Sequence, residues 1–110
     1  VSTPEGKIKD WAKRKLKQEL PDVWLYAPPG GMYGQVGVPD QLGVWRGVFF
    51  AIEYKADAKK QPTAIQMIQL KHLDRQGCIA CVLKGKNADR LDNLISIIKE
   101  KAGGFKDPFQ

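Results

Sequence analysis

Residues 40–55 read DQLGVWRGVFFAIEYK, two apolar runs joined by Arg46-Gly47. Both runs are rich in β-branched and aromatic residues, and an Arg-Gly pair between them suits a two-residue hairpin turn. If Trp45 pairs with Val48, each step outward pairs the next residues and Asp40 falls opposite Glu53. Cross-strand Cβ atoms at such positions lie about 5 Å apart. Lys55 shares a face with Glu53 because strand side chains alternate with a period of two. An odd-length loop or a bulge would break this register. Two carboxylates facing one another repel unless a cation sits between them. An all-oxygen ligand set favours a hard divalent ion, Mg²⁺ or Mn²⁺.

Pro39-Asp40 followed by Glu53-x-Lys55 is similar to the PD-(D/E)xK nuclease signature, a short pattern of low specificity by itself. Further on come Gln66, then Leu73 and Gly77 ahead of the apolar run 78–83 (CIACVL), an order that resembles the VRR-NUC branch of that superfamily, the virus-type replication-repair nucleases. Glu5 in the opening helix also fits, so the resemblance spans roughly residues 5–83. It implies an α/β fold with a restriction-endonuclease-like core, a mixed central sheet flanked by helices in the order α-β-β-β-α-β-α. It also implies that Asp40 and Glu53 hold the metal, that the backbone carbonyl of Tyr54 is a further ligand, and that Lys55 and Gln66 complete the catalytic set. The expected chemistry is metal-dependent hydrolysis of DNA phosphodiesters.

Bulk properties agree with that expectation. A chain of 110 residues reads as one domain, taken here as 1–102 with a tail at 103–110, and leaves little room for a separate module to read bases. Eighteen Lys and Arg against twelve Asp and Glu give a net charge of +6, which suits a polyanionic partner. No apolar run approaches the roughly 20 residues that span a bilayer, and the start shows no signal-peptide pattern, so a soluble protein of the cytoplasm is expected. Cys78-Ile79-Ala80-Cys81 has the C-x-x-C form, but only His72 could join it on zinc, and its β-branched surroundings are unlike a redox helix start. Buried structural thiols in a reducing compartment are the expectation.

Along the chain, Ser2-Thr3-Pro4-Glu5 reads as a helix start. Ile8, Ala12, Leu16 and Leu20 form an apolar stripe with Trp11 beside it, and Glu5 falls on the same stripe. Two readings of Glu5 stand open: it points at the metal centre, or it closes a capping box on Ser2. Lys9, Lys13 and Lys17 make a basic row that would track phosphates or simply face water. Residues 23–26 read as a short strand. The Pro- and Gly-rich segment 27–37 reads as a loop whose Tyr33 either contacts DNA or pins the loop to the core. It lacks the Lys-Ser/Thr of a nucleotide-binding P-loop.

The basic stretch 56–61, with Lys59 and Lys60 as DNA contacts, precedes a helix opened by Pro62 and buried through Ile65, Ile68, Leu70 and Leu73. Gln66 lies in line with Leu70 and Leu73 and so approaches the core side, with Gln69 as a rival. A buried strand at 78–83 follows, parallel to its neighbour because a helix connects them. Asn87 caps a last helix with an apolar face of Leu91, Leu94, Ile95 and Ile98. Phe105 and Phe109 in the tail suggest docking on a second subunit. A two-fold homodimer with one site per chain matches a four-way (Holliday) junction, so structure-selective junction cleavage is expected. The alternatives are a flap or repair nuclease, and a non-catalytic DNA-binding domain that kept the fold.

Overall fold

Arg46 and Gly47 both carry positive φ, 48° and 82°, the turn geometry whose twist matches that of the strands it joins. Around that turn the computed structural model, which describes residues 3–29 and 35–109, places a hairpin with Trp45 opposite Val48 and Gln41 opposite Ile52. The elements are α1 (Pro4–Glu19), β1 (Trp24–Tyr26), β2 (Gln41–Trp45), β3 (Val48–Lys55), α2 (Ala64–Arg75), β4 (Ile79–Lys84), α3 (Ala88–Lys101) and a 3-10 turn (Ala102–Gly104). The α-β-β-β-α-β-α order is the one read from the sequence. The sheet runs β1-β2-β3-β4. Its first three strands are antiparallel, while β4 lies parallel to β3 because the α2 crossover returns the chain to the same end.

Period-two alternation divides the sheet into two faces. Phe50, Ile52 and Tyr54 of β3, with Trp45, Cys81 and Leu83, pack against Ile8, Ala12 and Leu16 of α1 and Leu91, Leu94, Ile95 and Ile98 of α3. Close approach requires Gly43 on β2, since a Cβ there would stand 2.2 Å from the Phe50 ring. Trp45 Nε1 donates to the Pro21 carbonyl at 2.9 Å and ties the end of α1 to the hairpin. The other face carries Glu53, Lys55 and α2.

Three local expectations are corrected. Helix α2 starts at Ala64, with Thr63 rather than Pro62 at its head, because the Thr63 side chain and Gln66 close a reciprocal capping box. Of its expected core residues only Leu70 is buried, while Ile65 and Ile68 are 48% and 64% exposed. At about 100° per residue they lie on the side of the helix away from Leu70. Helix α1 is capped by Thr3, which accepts from the Gly6 amide at 3.0 Å, so the third helical position is Gly6 and Glu5 cannot close a capping box. Ser2 lies outside the described residues.

Strand β1 is an edge of the sheet, and its Trp24 and Tyr26 stack on one another at 5.9 Å while staying 54% and 46% exposed. In the tail, the Phe105 ring turns back toward the hairpin turn at Gly47, and Phe109 is exposed. No helix among the described residues is long and apolar enough to cross a membrane.

Candidate active site

Counting outward from the two-residue turn, Gln41 and Ile52 fall on a hydrogen-bonded pair. The next position, Asp40 against Glu53, is of the non-hydrogen-bonded kind in which side chains approach most closely. The ladder stops there, and the Asp40 side chain takes over: its Oδ2 accepts from the Tyr54 amide at 2.9 Å. A strand residue sends its N–H and C=O to the same side, so the Tyr54 carbonyl also faces the end of β2. Pro39, next in register, has no amide hydrogen to offer that carbonyl.

Glu53 is the hub. Lys55, two residues on and on the same face, holds its Nζ 3.5 Å from Glu53 Oε2. Gln66 Nε2 donates to the same oxygen at 3.0 Å, while Gln66 Oε1 accepts from the Thr63 amide at 2.8 Å. The capping box of α2 therefore doubles as the clamp that aims Gln66 at Glu53. The hydrogen bond goes to Gln66 and not to its rival Gln69. On the Asp40 side, Lys9 of α1 reaches Asp40 Oδ1 at 3.8 Å.

Glu53 is only 2% exposed. Burial is the main cause that pushes its carboxyl up to about 7, with the neighbouring Asp40 charge adding to it and Lys55 opposing it. Its second oxygen, Oε1, is buried with no hydrogen-bond partner among the described residues. A buried carboxylate oxygen left unpaired beside another carboxylate is a costly arrangement for an isolated protein, and one that a cation relieves. The donor set of Asp40, Glu53 and the Tyr54 carbonyl is all oxygen and fits a hard divalent ion.

Other residues singled out in the sequence are placed less tightly. Glu5 sits half-buried in the first turn of α1, and the described residues contain no group of three or more His, Cys, Asp or Glu able to hold a metal. Lys13 is half-buried and Lys17 exposed on α1; Lys59 and Lys60 are exposed in the turn after β3, where the Lys59 amide bonds Asp57. Tyr33 lies outside the described residues. Both cysteines are free and buried, and burial raises the thiol pKa of each, that of Cys78 to about 11, as for structural thiols. The sequence reading did not consider Lys84, which the parallel register sets beside Lys55 at the end of β4. It also missed the aim of Lys9 at Asp40.

No family model matches the chain, and no curated protein matches it in sequence. Solved structures do. A structure described as a VRR_NUC domain superposes with a TM-score of 0.71 at 24% identity, over 86% of this chain and 97% of that one. The chain has the fold of a VRR-NUC domain. A second structure, described as a VRR_NUC domain protein, agrees with a TM-score of 0.65 at 22% identity over 91% and 88% of the two chains. Within this VRR-NUC fold the hairpin, α2 and the start of α1 are the elements that gather Asp40, Glu53, Lys55, Gln66 and Lys9.

Proposed function

We propose that this chain is a metal-dependent endonuclease that hydrolyses DNA phosphodiester bonds. The observation that carries the reading is the buried Oε1 of Glu53 beside Asp40, without a hydrogen-bond partner among the described residues, with Lys55 and Gln66 both fixed on the other Glu53 oxygen. Asp40, Glu53 and the Tyr54 carbonyl would hold Mg²⁺ or Mn²⁺, which when bound lowers the pKa of a water nucleophile and offsets charge growing on the phosphate. Glu53 must be ionised for this, and in the metal-free site burial and the Asp40 charge oppose that ionisation. Lys55 presents an ammonium at the edge of the acid pair, where it stabilises a phosphate oxygen as negative charge builds. Gln66 fixes the Glu53 rotamer, the Tyr54 amide does the same for Asp40, and Lys9 adds positive charge at the mouth of the site.

The substrate we propose is branched DNA, four-way junctions foremost, cut by a homodimer. The net charge of +6 favours a polyanion. Support for a second copy comes from β1, an edge strand that carries the exposed Trp24–Tyr26 stack. Unprotected apolar edges invite pairing with another chain. A flap or repair nuclease uses the same residues on a different DNA, and a non-catalytic DNA-binding domain has no need of the paired acids.

Labelled four-way junctions, flaps and plain duplex, each incubated with and without Mg²⁺, test the reading. Paired nicks placed symmetrically about the junction crossover are expected, together with sedimentation as two chains. Equal cutting of flaps or duplex by a monomer would reject the junction reading and keep the nuclease. DNA binding without cutting in any metal would favour the non-catalytic domain.

A further inference from the structure

We infer that Lys84 and the groove beside it form a second phosphate subsite, which holds the DNA strand next to the phosphate being cut. The inference rests on the nucleic-acid reading above and extends it to residues that reading does not use.

The parallel register sets Lys84 directly beside Lys55, and Val82 beside Glu53. Register neighbours in a sheet point to the same face, with strands about 4.8 Å apart. Cys81 and Leu83 are buried in the core on the far side, which turns Val82 and Lys84 toward the face that carries Glu53 and Lys55. Two lysines therefore stand side by side on one sheet face, adjoining the two carboxylates. Like charges directly across a sheet destabilise it. Lys55 has an offset in Glu53. Lys84 has none among the described residues: its Nζ donates to a neutral acceptor, Gln61 Oε1, at 2.9 Å. An ammonium has three N–H donors, so that bond leaves capacity for an anion.

Space for one lies beside it. A cavity of about 430 Å³ opens at Lys84, walled by Gln61, Pro62 and Met67 on the α2 side, by Val82 below, and by Asn87 and Arg90 at the start of α3. Arg90 Nε donates to the Val82 carbonyl at 2.8 Å, which brings a second cation to the rim and closes the outer edge of β4. Two cations, Lys84 and Arg90, line this cavity, and the register sets Lys84 beside Lys55, a placement that fits the next phosphate of the same strand.

The test uses the Glu53→Gln chain, so that DNA is bound without being consumed, and reads fluorescence anisotropy of a labelled branched DNA across a salt series. Adding Lys84→Gln should flatten the slope of log K against log salt by roughly 0.7 to 0.9 and weaken binding several-fold. Gln keeps a hydrogen bond to Gln61, so a merely structural tie would survive. Lys84→Arg should restore both slope and affinity. Lys101→Gln removes the same charge at the other end of α3, roughly 20 Å away by helix rise, and should alter the slope less. In the otherwise unaltered protein, Lys84→Gln should raise the KM for cleavage with little change in kcat. An unchanged slope with Lys84→Gln, or an equal loss with Lys101→Gln, overturns the subsite while the nuclease reading stands. A parent chain that binds no DNA overturns both.

Discussion

Replacing Glu53 by Gln should stabilise the metal-free protein at alkaline pH and abolish its stabilisation by metal. A carboxyl whose native pKa is near 7 against an ordinary 4.5 penalises the folded state whenever it is ionised. The penalty is absent below the ordinary carboxylate range, grows between the two values and is complete above the higher one. Linkage puts it at about 3 kcal/mol at pH 8 and under about 1 kcal/mol at pH 5. The Gln side chain keeps an acceptor for Gln66 but turns an amide toward Lys55 or into the space around Oε1. A net gain of about 1–2 kcal/mol at pH 8 is therefore expected, shrinking to near zero or below at pH 5. Urea denaturation of both proteins in EDTA at the two pH values reads this directly. With Mn²⁺ present the order should reverse at pH 8, because an ion held only by the native state stabilises by mass action and the variant has lost a ligand. A variant less stable than the parent in EDTA at pH 8, or a difference that ignores pH, would refute the argument that burial and Asp40 strain Glu53.

Three further outcomes are expected. Lys55→Ala should lower single-turnover cleavage by at least about 100-fold while DNA affinity falls only slightly, since its role lies in the transition state; equal losses in both would make it a phosphate-binding group alone. Changing Lys9, Lys13 and Lys17 together to Gln should reduce the salt slope of DNA binding, by about 0.9 for each phosphate no longer neutralised, with Lys9 also loosening Asp40; an unchanged slope would mark the row as a solvated face. Gly43→Ala should destabilise the fold by about 1–3 kcal/mol, because the Phe50 ring occupies the place of the new Cβ, and a neutral result in urea would mean the hairpin yields there.

The hairpin was legible because its information is local. Arg46-Gly47 accepts the positive φ values that a two-residue turn demands, and period two then carries the register from Trp45 to Asp40 without reference to the rest of the chain. Gln66 was legible for a related reason, since one helix line joins it to the buried Leu70. Ile65 and Ile68 were misread because an apolar residue on a helix does not say how wide a face its neighbour covers. A four-stranded sheet with β4 at its edge gives α2 only a narrow seat. The partnership of Lys9 with Asp40, 31 positions apart, depends on how α1 crosses the sheet, and no local pattern encodes that crossing. Lys84 was overlooked since its significance comes from standing beside Lys55 in the parallel register, a relation that appears only once strands are ordered. Thr63 stands at the head of α2 where Pro62 was expected because reciprocal hydrogen bonds with Gln66 outweigh a proline's preference for the first turn.

The claim that Asp40 and Glu53 are a metal-dependent cutting site is tested most directly by titrating Mg²⁺ into single-turnover reactions of the unaltered chain and of Asp40→Asn with the same labelled branched DNA. Cleavage by the unaltered chain should rise from nothing in EDTA to a saturating rate, and Asp40→Asn should bind the DNA without cutting it at any Mg²⁺ concentration. Cleavage that persists in EDTA, or an Asp40→Asn chain that cuts at the parent's rate, would contradict the assignment.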